Sequence, residues 1–527
     1  MCTFGGARLI ELSKKVGSLF VIGFEGTSVS PELRQLMTDY HIGSVILFSR
    51  NITSAEQLKK LTTEIQATAQ EVGYEHPVLI CLDQENGVIR RITEDITLFP
   101  GQMSQAATND PSIARKIAEA TAIELKNLGI NWNLAPVADI NNNPENPIIG
   151  VRSFGDQPEK VAQYVGEALA GYQAQHMISS VKHFPGHGDT MVDSHLAVPV
   201  IEKSLDELKQ MELVPFERAI TLNCDTIMIS HIIFSSLDSQ PASISKLLIT
   251  DLLRDELGYK GVVVSDCLEM DAISQTVGVV EGSYQAFNAG ADLLMISHTY
   301  EKQIAAMDHL IAKIKQGEIS EQRLEKSLER MEQLISKHSI DFDFELSSFE
   351  KKEHEELAEK AYQMGCVNMV PSSITSPLIT EDDKIVVLFP DEKNLLRVED
   401  IHNAYDFDKI FKELTNDTTF VTYNHQGLID CKHEELLTTL GQNDKIMLFT
   451  VNVNMNDWLV NFSSQLILPT VHFVMRNPYD LDKLSLPNRL AGVVMFEPTQ
   501  AVITQAMNHL DDLTYFTGEM PIRLQDN

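Results

Sequence analysis

Eight short apolar runs recur through residues 18–24, 43–49, 78–83, 133–139, 180–184, 226–231, 261–266 and 292–298, with helical patterns between them. A run that is apolar at successive positions suits a strand buried on both faces, and strands separated by helices build a parallel sheet. The intervening helices carry recognisable starts. Asp110 is an N-cap followed by Pro111, and apolar residues then repeat at helical spacing as far as Gly129. Eight such units predict closure into a (β/α)8 TIM-like barrel, with an open doubly wound sheet as the alternative. The polar residues favour the barrel. Asp83, Asp139, Lys182, His183, His231, Asp266 and His298 all fall at the C-terminal ends of the expected strands, the rim on which barrel active sites form.

Beyond this pattern the chain becomes charged and then apolar again. We expect a catalytic barrel over residues 1–345, a linker over 346–370 and a smaller C-terminal α/β sandwich domain over 371–527, its strands at 384–389, 419–424, 444–449, 471–475 and 492–496. No GxGxxG follows the first of these strands, so the sequence offers no dinucleotide site.

A formal net charge of -33 repels phosphate backbones and anionic lipids. Neither a nucleic acid nor a membrane is therefore an expected partner, and no apolar run reaches the length of a membrane span. The six cysteines are scattered without CxxC spacing. Reduced thiols and a cytoplasmic location are expected, with neither zinc cluster nor disulfide framework.

The densest chemistry lies in VKHFPGHGDTMVDSHLAVP, residues 181–199, which holds three histidines and two aspartates. A phosphate loop would need GxxxxGK[ST], which is missing. A metal site would draw on His183, His187, Asp189, Asp193 and His195, yet no HxH or HExxH pair fixes two ligands on one element, and neither metal nor cofactor is expected. A histidine at a strand end is commonly structural. In DSH, however, residues two apart in an extended loop point the same way, so Asp193 would hold one nitrogen of His195 and leave the other as proton donor or acceptor.

With RSFG (152–155) before this loop and SDCLEM (265–270) after it, the chain resembles the glycoside hydrolase family 3 β-N-acetylglucosaminidases. GSVILFSRNI (43–52), LDQENG (82–87), LAPVADI (134–140), PASIS (241–245), LRDELGYKGVVVSD (253–266), GADLLMI (290–296), VMRNPYDL (474–481) and GEMPIRL (518–524) extend the likeness in order along nearly the whole chain. The resemblance implies a retaining, exo-acting hydrolase that removes terminal non-reducing β-linked N-acetylglucosamine from an oligosaccharide or glycoconjugate through a covalent glycosyl-enzyme. It implies Asp266 as nucleophile, His195 as general acid/base and Asp193 as its partner. Asp83, Arg91, Arg152, Lys182 and His183 match the positions that bind the terminal sugar.

Some positions depart from the family pattern. Asn86 stands where glycine is usual, Val88 where arginine is usual, and Cys267 replaces a common aspartate, which leaves a reactive thiol open. Arg91 keeps the family register, so Arg90 is expected to be a surface residue. A glycoside phosphorylase or transglycosidase on the same scaffold is the alternative activity, and a non-catalytic sugar-binding protein is a further one.

Overall fold

The computed structural model describes residues 11–191, 198–342, 350–371, 377–380, 382–390, 418–424, 427–428 and 433–524. The expected boundary near residue 345 lies outside them. The first part contains β1 (Phe20–Ile22), β2 (Ser44–Ile46), β3 (Leu79–Leu82), β4 (Trp132–Asn133), β5 (Ile178–Phe184), β6 (Val200–Ile201), β7 (Thr226–Ile229), β8 (Ile233–Phe234), β9 (Val262–Ser265) and β10 (Leu294–Ile296). Eight of these form one sheet in the order β10-β1-β2-β3-β4-β5-β7-β9. Every pairing in it is parallel, and a bridge from Val264 to Leu293 brings β9 beside β10, so the barrel nearly closes.

The strands are buried throughout, as their unbroken apolar runs require. Helices cover them, and their starts follow capping chemistry: the side chains of Ser30, Ser54, Asp110 and Ser320 each accept a hydrogen bond from a first-turn backbone N–H. The fourth strand is shorter than its sequence suggests. Only Trp132–Asn133 pairs regularly, because Pro136 has no N–H to donate to a ladder. A bridge from Val137 to Lys182 resumes contact one turn later.

The second domain is a seven-stranded mixed sheet of β11 (Val367–Asn368), β12 (Ile385–Pro390), β13 (Thr418–Asn424), β14 (Gly427–Leu428), β15 (Lys445–Thr450), β16 (Thr470–Val474) and β17 (Arg489–Val494), ordered β11-β17-β16-β15-β12-β13-β14. Alternate residues feed opposite faces. Val387, Phe389, Met447 and Phe473 pack with Val502 and Ile503 of one helix, while Val386, Leu388, Ile446 and Leu448 pack with Leu459 and Phe462 of another. The two-residue strands β6, β8, β11 and β14 carry no sequence signal, being too short to show a period.

The two domains share apolar clusters. Phe99, Ile113 and Ile117 of the barrel meet Ala358 and Ala361 of the helix Lys351–Gly365. Met103 and Val151 meet Val474, Tyr479 and Val494 of the second domain, with Val88 packed alongside. That packing accounts for an apolar residue at position 88, where an arginine would place a charge against this cluster.

Trp132 is fully buried in the barrel and its indole N–H donates to Ser180 Oγ at 2.9 Å. Trp132→Ala should destabilise the protein by ~3–5 kcal/mol, measured as a lower denaturant midpoint by circular dichroism.

Candidate active site

A cavity of about 330 Å³ opens at the C-terminal ends of the barrel strands. Asp83, Arg91, Arg152, Lys182, His183 and Asp266 all line it. The structure therefore brings together the six expected site residues that are described. Asp193 and His195 lie outside the described residues.

Lys182, on β5, is almost fully buried, donates to Asp83 at 2.8 Å and forms an ion pair with Glu85 at 2.6 Å. Arg91 reaches the other Asp83 oxygen at 3.1 Å. Arg152 grips both oxygens of Glu85, Nε at 2.9 Å and Nη2 at 2.8 Å. Burial by itself would raise the pKa of both carboxyls, but Lys182 and Arg91 hold Asp83 well below the usual carboxylate range. Against the same effect of burial, Arg152 and Lys182 bring Glu85 down to about 2. Burial would likewise discharge Lys182, whose pKa Asp83 and Glu85 instead raise. The network stays charged because every member faces an opposite charge at hydrogen-bond distance.

Glu85 was not among the expected site residues, although the sequence carried a signal for it. It lies two residues after Asp83, and residues two apart in extended chain share a face. Asp139, expected at the rim but given no role by the sequence, is a second addition. Its carboxylate accepts from His183 Nδ1 at 2.7 Å and from the backbone N–H groups of His183 and His187. An ionised acceptor there requires the proton on Nδ1 of His183 and fixes the orientation of its ring. His187 is neutral at ordinary pH: burial, then His183, lower its pKa to about 4.

The histidine loop is better anchored than its glycines suggest. Asn146 donates to the carbonyls of His187 and Gly188 at 2.9 and 2.8 Å and to Thr190 Oγ1 at 3.2 Å. Gly188 lies so close to the chain that a Cβ would fall 1.5 Å from the Ile140 carbonyl oxygen. The loop stem up to Thr190 is thereby fixed against the segment that carries Arg152.

Asp266 follows β9, and its N–H donates to the Ile229 carbonyl at 3.0 Å. Its Oδ1 accepts from the Cys267 N–H at 2.7 Å, a bond any residue but proline would supply at 267. The thiol of Cys267 is not activated: burial pushes its pKa up to about 11. His231 is a buttress, since its Nε2 lies 2.9 Å from the Cys267 carbonyl and its Nδ1 2.7 Å from Ser243 Oγ.

Arg90 corrects an expectation. It is 8 % exposed rather than a surface residue, and it donates to Glu497 of the second domain and to the Phe99 carbonyl. The sequence places it next to Arg91, but adjacent side chains diverge, so one turns to the cavity and the other to the domain interface. Asn86 meets the requirement for which glycine is usual at its position. It adopts φ 68°, a left-handed conformation asparagine tolerates, and its amide donates to Thr121 Oγ1.

Glu85 contributes stability that is complete above its unfolded pKa of roughly 4.3. That stability is lost as pH falls towards the folded value of about 2. The difference in melting temperature between the wild type and Glu85→Gln should therefore shrink across this window, as followed by calorimetry. Cys267 should resist iodoacetamide near neutral pH, as read by peptide mass spectrometry, because little thiolate is present.

The family model of the Glycosyl hydrolase family 3 N terminal domain matches residues 11–334. A curated relative named Beta-hexosaminidase A, from Pseudoalteromonas piscicida, is 33% identical over 405 residues, covering 72% of this chain and 68% of that protein. The solved glycoside hydrolase family 3 β-N-acetylglucosaminidase from Paenibacillus sp. superposes with a TM-score of 0.88 at 34% identity, covering 97% of this chain and 99% of that one. NagZ from Neisseria gonorrhoeae, solved in complex with N-trifluoroacetyl-D-glucosamine, matches 62% of this chain and 97% of its own at 28% identity, with a TM-score of 0.52. With this sequence match over most of the barrel, and an acidic residue at the end of β9 facing a charged sugar-sized cavity, the chain belongs to glycoside hydrolase family 3.

Proposed function

We propose that the protein is a retaining exo-β-N-acetylglucosaminidase that releases terminal β-linked N-acetylglucosamine through a covalent glycosyl-enzyme. The observation that carries this reading is the place of Asp266. Its carboxylate lines the same cavity as the Asp83, Glu85, Lys182 and Arg152 network. Charged donors and acceptors in a nearly neutral array suit the vicinal hydroxyls of a sugar, each of which can donate and accept. The names of the relatives from Pseudoalteromonas and Paenibacillus support the hexosaminidase class.

In this mechanism Asp266 attacks the anomeric carbon from the face opposite the leaving group, and the electron pair of the glycosidic bond passes to the departing oxygen. His195 protonates that oxygen, then removes a proton from the water that opens the glycosyl-enzyme from the same face. Asp193 orients the imidazole. Asp83, Arg91, Arg152, Lys182 and His183 hold the terminal sugar in both steps. The proposal includes a catalytic unit over residues 1–345, a linker over 346–370 whose last residues add β11 to the sheet of a second domain over 371–527, and a cytoplasmic location. No helix among the described residues is long and apolar enough to cross a membrane.

The first-formed sugar from a β-glycoside should be the β-anomer by early-time NMR, and α-product would exclude double displacement. Asp266→Ala should retain less than about 1 % of the rate while still binding N-acetylglucosamine. Inorganic phosphate should neither accelerate turnover nor appear in the product, which separates hydrolysis from phosphorolysis.

His195→Ala should slow cleavage of chitobiose by about 10²–10⁴-fold. It should change the glycosylation step of a nitrophenyl glycoside far less, because phenolate leaves without a proton. The nitrophenyl substrate should then show a burst followed by slow turnover, which azide accelerates by attacking without base help. Asp193→Ala should give a milder form of the same pattern. Equal losses on both substrates, without burst or azide rescue, would make His195 a structural residue.

A further inference from the structure

Glu497 belongs to the second domain, three residues beyond β17, yet its carboxylate is fully buried against the barrel. Four different groups donate to it. Tyr362 Oη and Thr499 Oγ1 each approach Oε1 at 2.7 Å, the Gly101 backbone N–H lies 3.1 Å from Oε2, and Arg90 Nη2 lies 3.3 and 3.4 Å from the two oxygens. Two of these donors, Arg90 and Gly101, sit on the barrel loop that follows β3. The same loop carries Asp83, Glu85 and Arg91 into the cavity.

The backbone around this carboxylate has two unusual features. Phe496 immediately before it adopts φ 62°. A bulky side chain in the left-handed region is strained, and such strain persists only where the surroundings over-determine it. On the barrel side, Gly87 adopts the same region at φ 62°, and a Cβ there would lie 2.4 Å from Gly101 Cα and 3.1 Å from Glu497 Oε2. The turn between Glu85 and Arg91 is thus closed down against the carboxylate. The same turn is held as well by Glu85 N–H to the Ile89 carbonyl, Gly87 N–H and Arg90 to the Phe99 carbonyl, Asn86 to Thr121 Oγ1, Arg91 N–H to Gln84 Oε1 and Arg152 to the Glu85 carboxylate.

We infer that Glu497 is a positioning residue for sugar binding, through which the second domain sets the geometry of the loop bearing Asp83, Glu85 and Arg91. The inference rests on the reading of the cavity as the terminal-sugar site. Arg90 and Arg91 are neighbours on one backbone, so drawing the first guanidinium towards Glu497 directs the second towards Asp83. Removing the carboxylate leaves the Gly101 N–H and the Arg90 charge buried with fewer acceptors, and the turn must relax to satisfy them. The loop holds substrate and transition state alike, so its loss falls on binding more than on the chemical step.

Kinetics and hydrogen exchange on the full chain test this together. Glu497→Ala and Glu497→Gln should raise KM for a nitrophenyl β-N-acetylglucosaminide, and the inhibition constant of free N-acetylglucosamine, by about tenfold or more while kcat changes much less. The amides of residues 85–101 should exchange faster, and those of β5 and β9 should not. Glu519→Ala, which removes an exposed bond to Asn109 elsewhere between the domains, should keep wild-type constants. Should the Glu497 variants fail to fold, Thr499→Val and Tyr362→Phe each remove one donor and should shift both constants in the same direction by about twofold to fivefold. A lowered melting temperature with unchanged KM, inhibition constant and loop exchange would overturn the inference. If the wild type neither cleaves the glycoside nor binds N-acetylglucosamine, the functional reading falls, and loop exchange alone decides the role of Glu497: unchanged exchange in Glu497→Gln overturns it.

Discussion

Charge neutralisation among buried side chains is the constraint from which the rest of the site follows. Lys182 is buried at the mouth of the barrel with Asp83 and Glu85 as its counter-charges, and Arg152 and Arg91 close the set. Each charge would be strongly disfavoured alone in such a place, so removing one member weakens the neutralisation of every charge it faced. This makes the array rigid. A rigid array of ionic donors and acceptors recognises hydroxyl positions without paying again for reorganisation when substrate arrives. The barrel supplies the convergence, since β3 and β5 bring residues almost a hundred positions apart to one rim.

Support for that array comes from further layers of hydrogen bonds. Asp139 orients His183, Asn146 ties down the stem of the histidine loop, and His231 braces the turn carrying Asp266. The second domain adds a layer from outside the barrel through Glu497 and the apolar cluster around Met103, and the helix Lys351–Gly365 packs against Phe99.

Much of this was legible beforehand, and for physical reasons. Strands buried on both faces must be apolar throughout, which made all eight barrel strands visible. Residues at their C-terminal ends must face the rim, which located Asp83, Lys182, His183 and Asp266. Glu85 needed only the period-two rule applied to a short stretch. Arg90 could not be read correctly, because its partner lies 407 positions away and an arginine without a visible partner is expected at the surface. The limits of β4 were misjudged because the apolar composition of 133–139 concealed what Pro136 does to a ladder.

By itself the sequence determined the alternation of strand and helix, the chemical types available at the rim and the family to which the chain belongs, since these depend on local periodicity and on motifs contiguous in the chain. The tertiary structure decided which charges pair. The coupling of Lys182 to both Asp83 and Glu85, of His183 to Asp139, and of Arg90 to Glu497 depends on distances across the barrel and between domains. Burial then makes each of those pairings obligatory, because a charge removed from water persists only where an opposite charge or a hydrogen bond meets it.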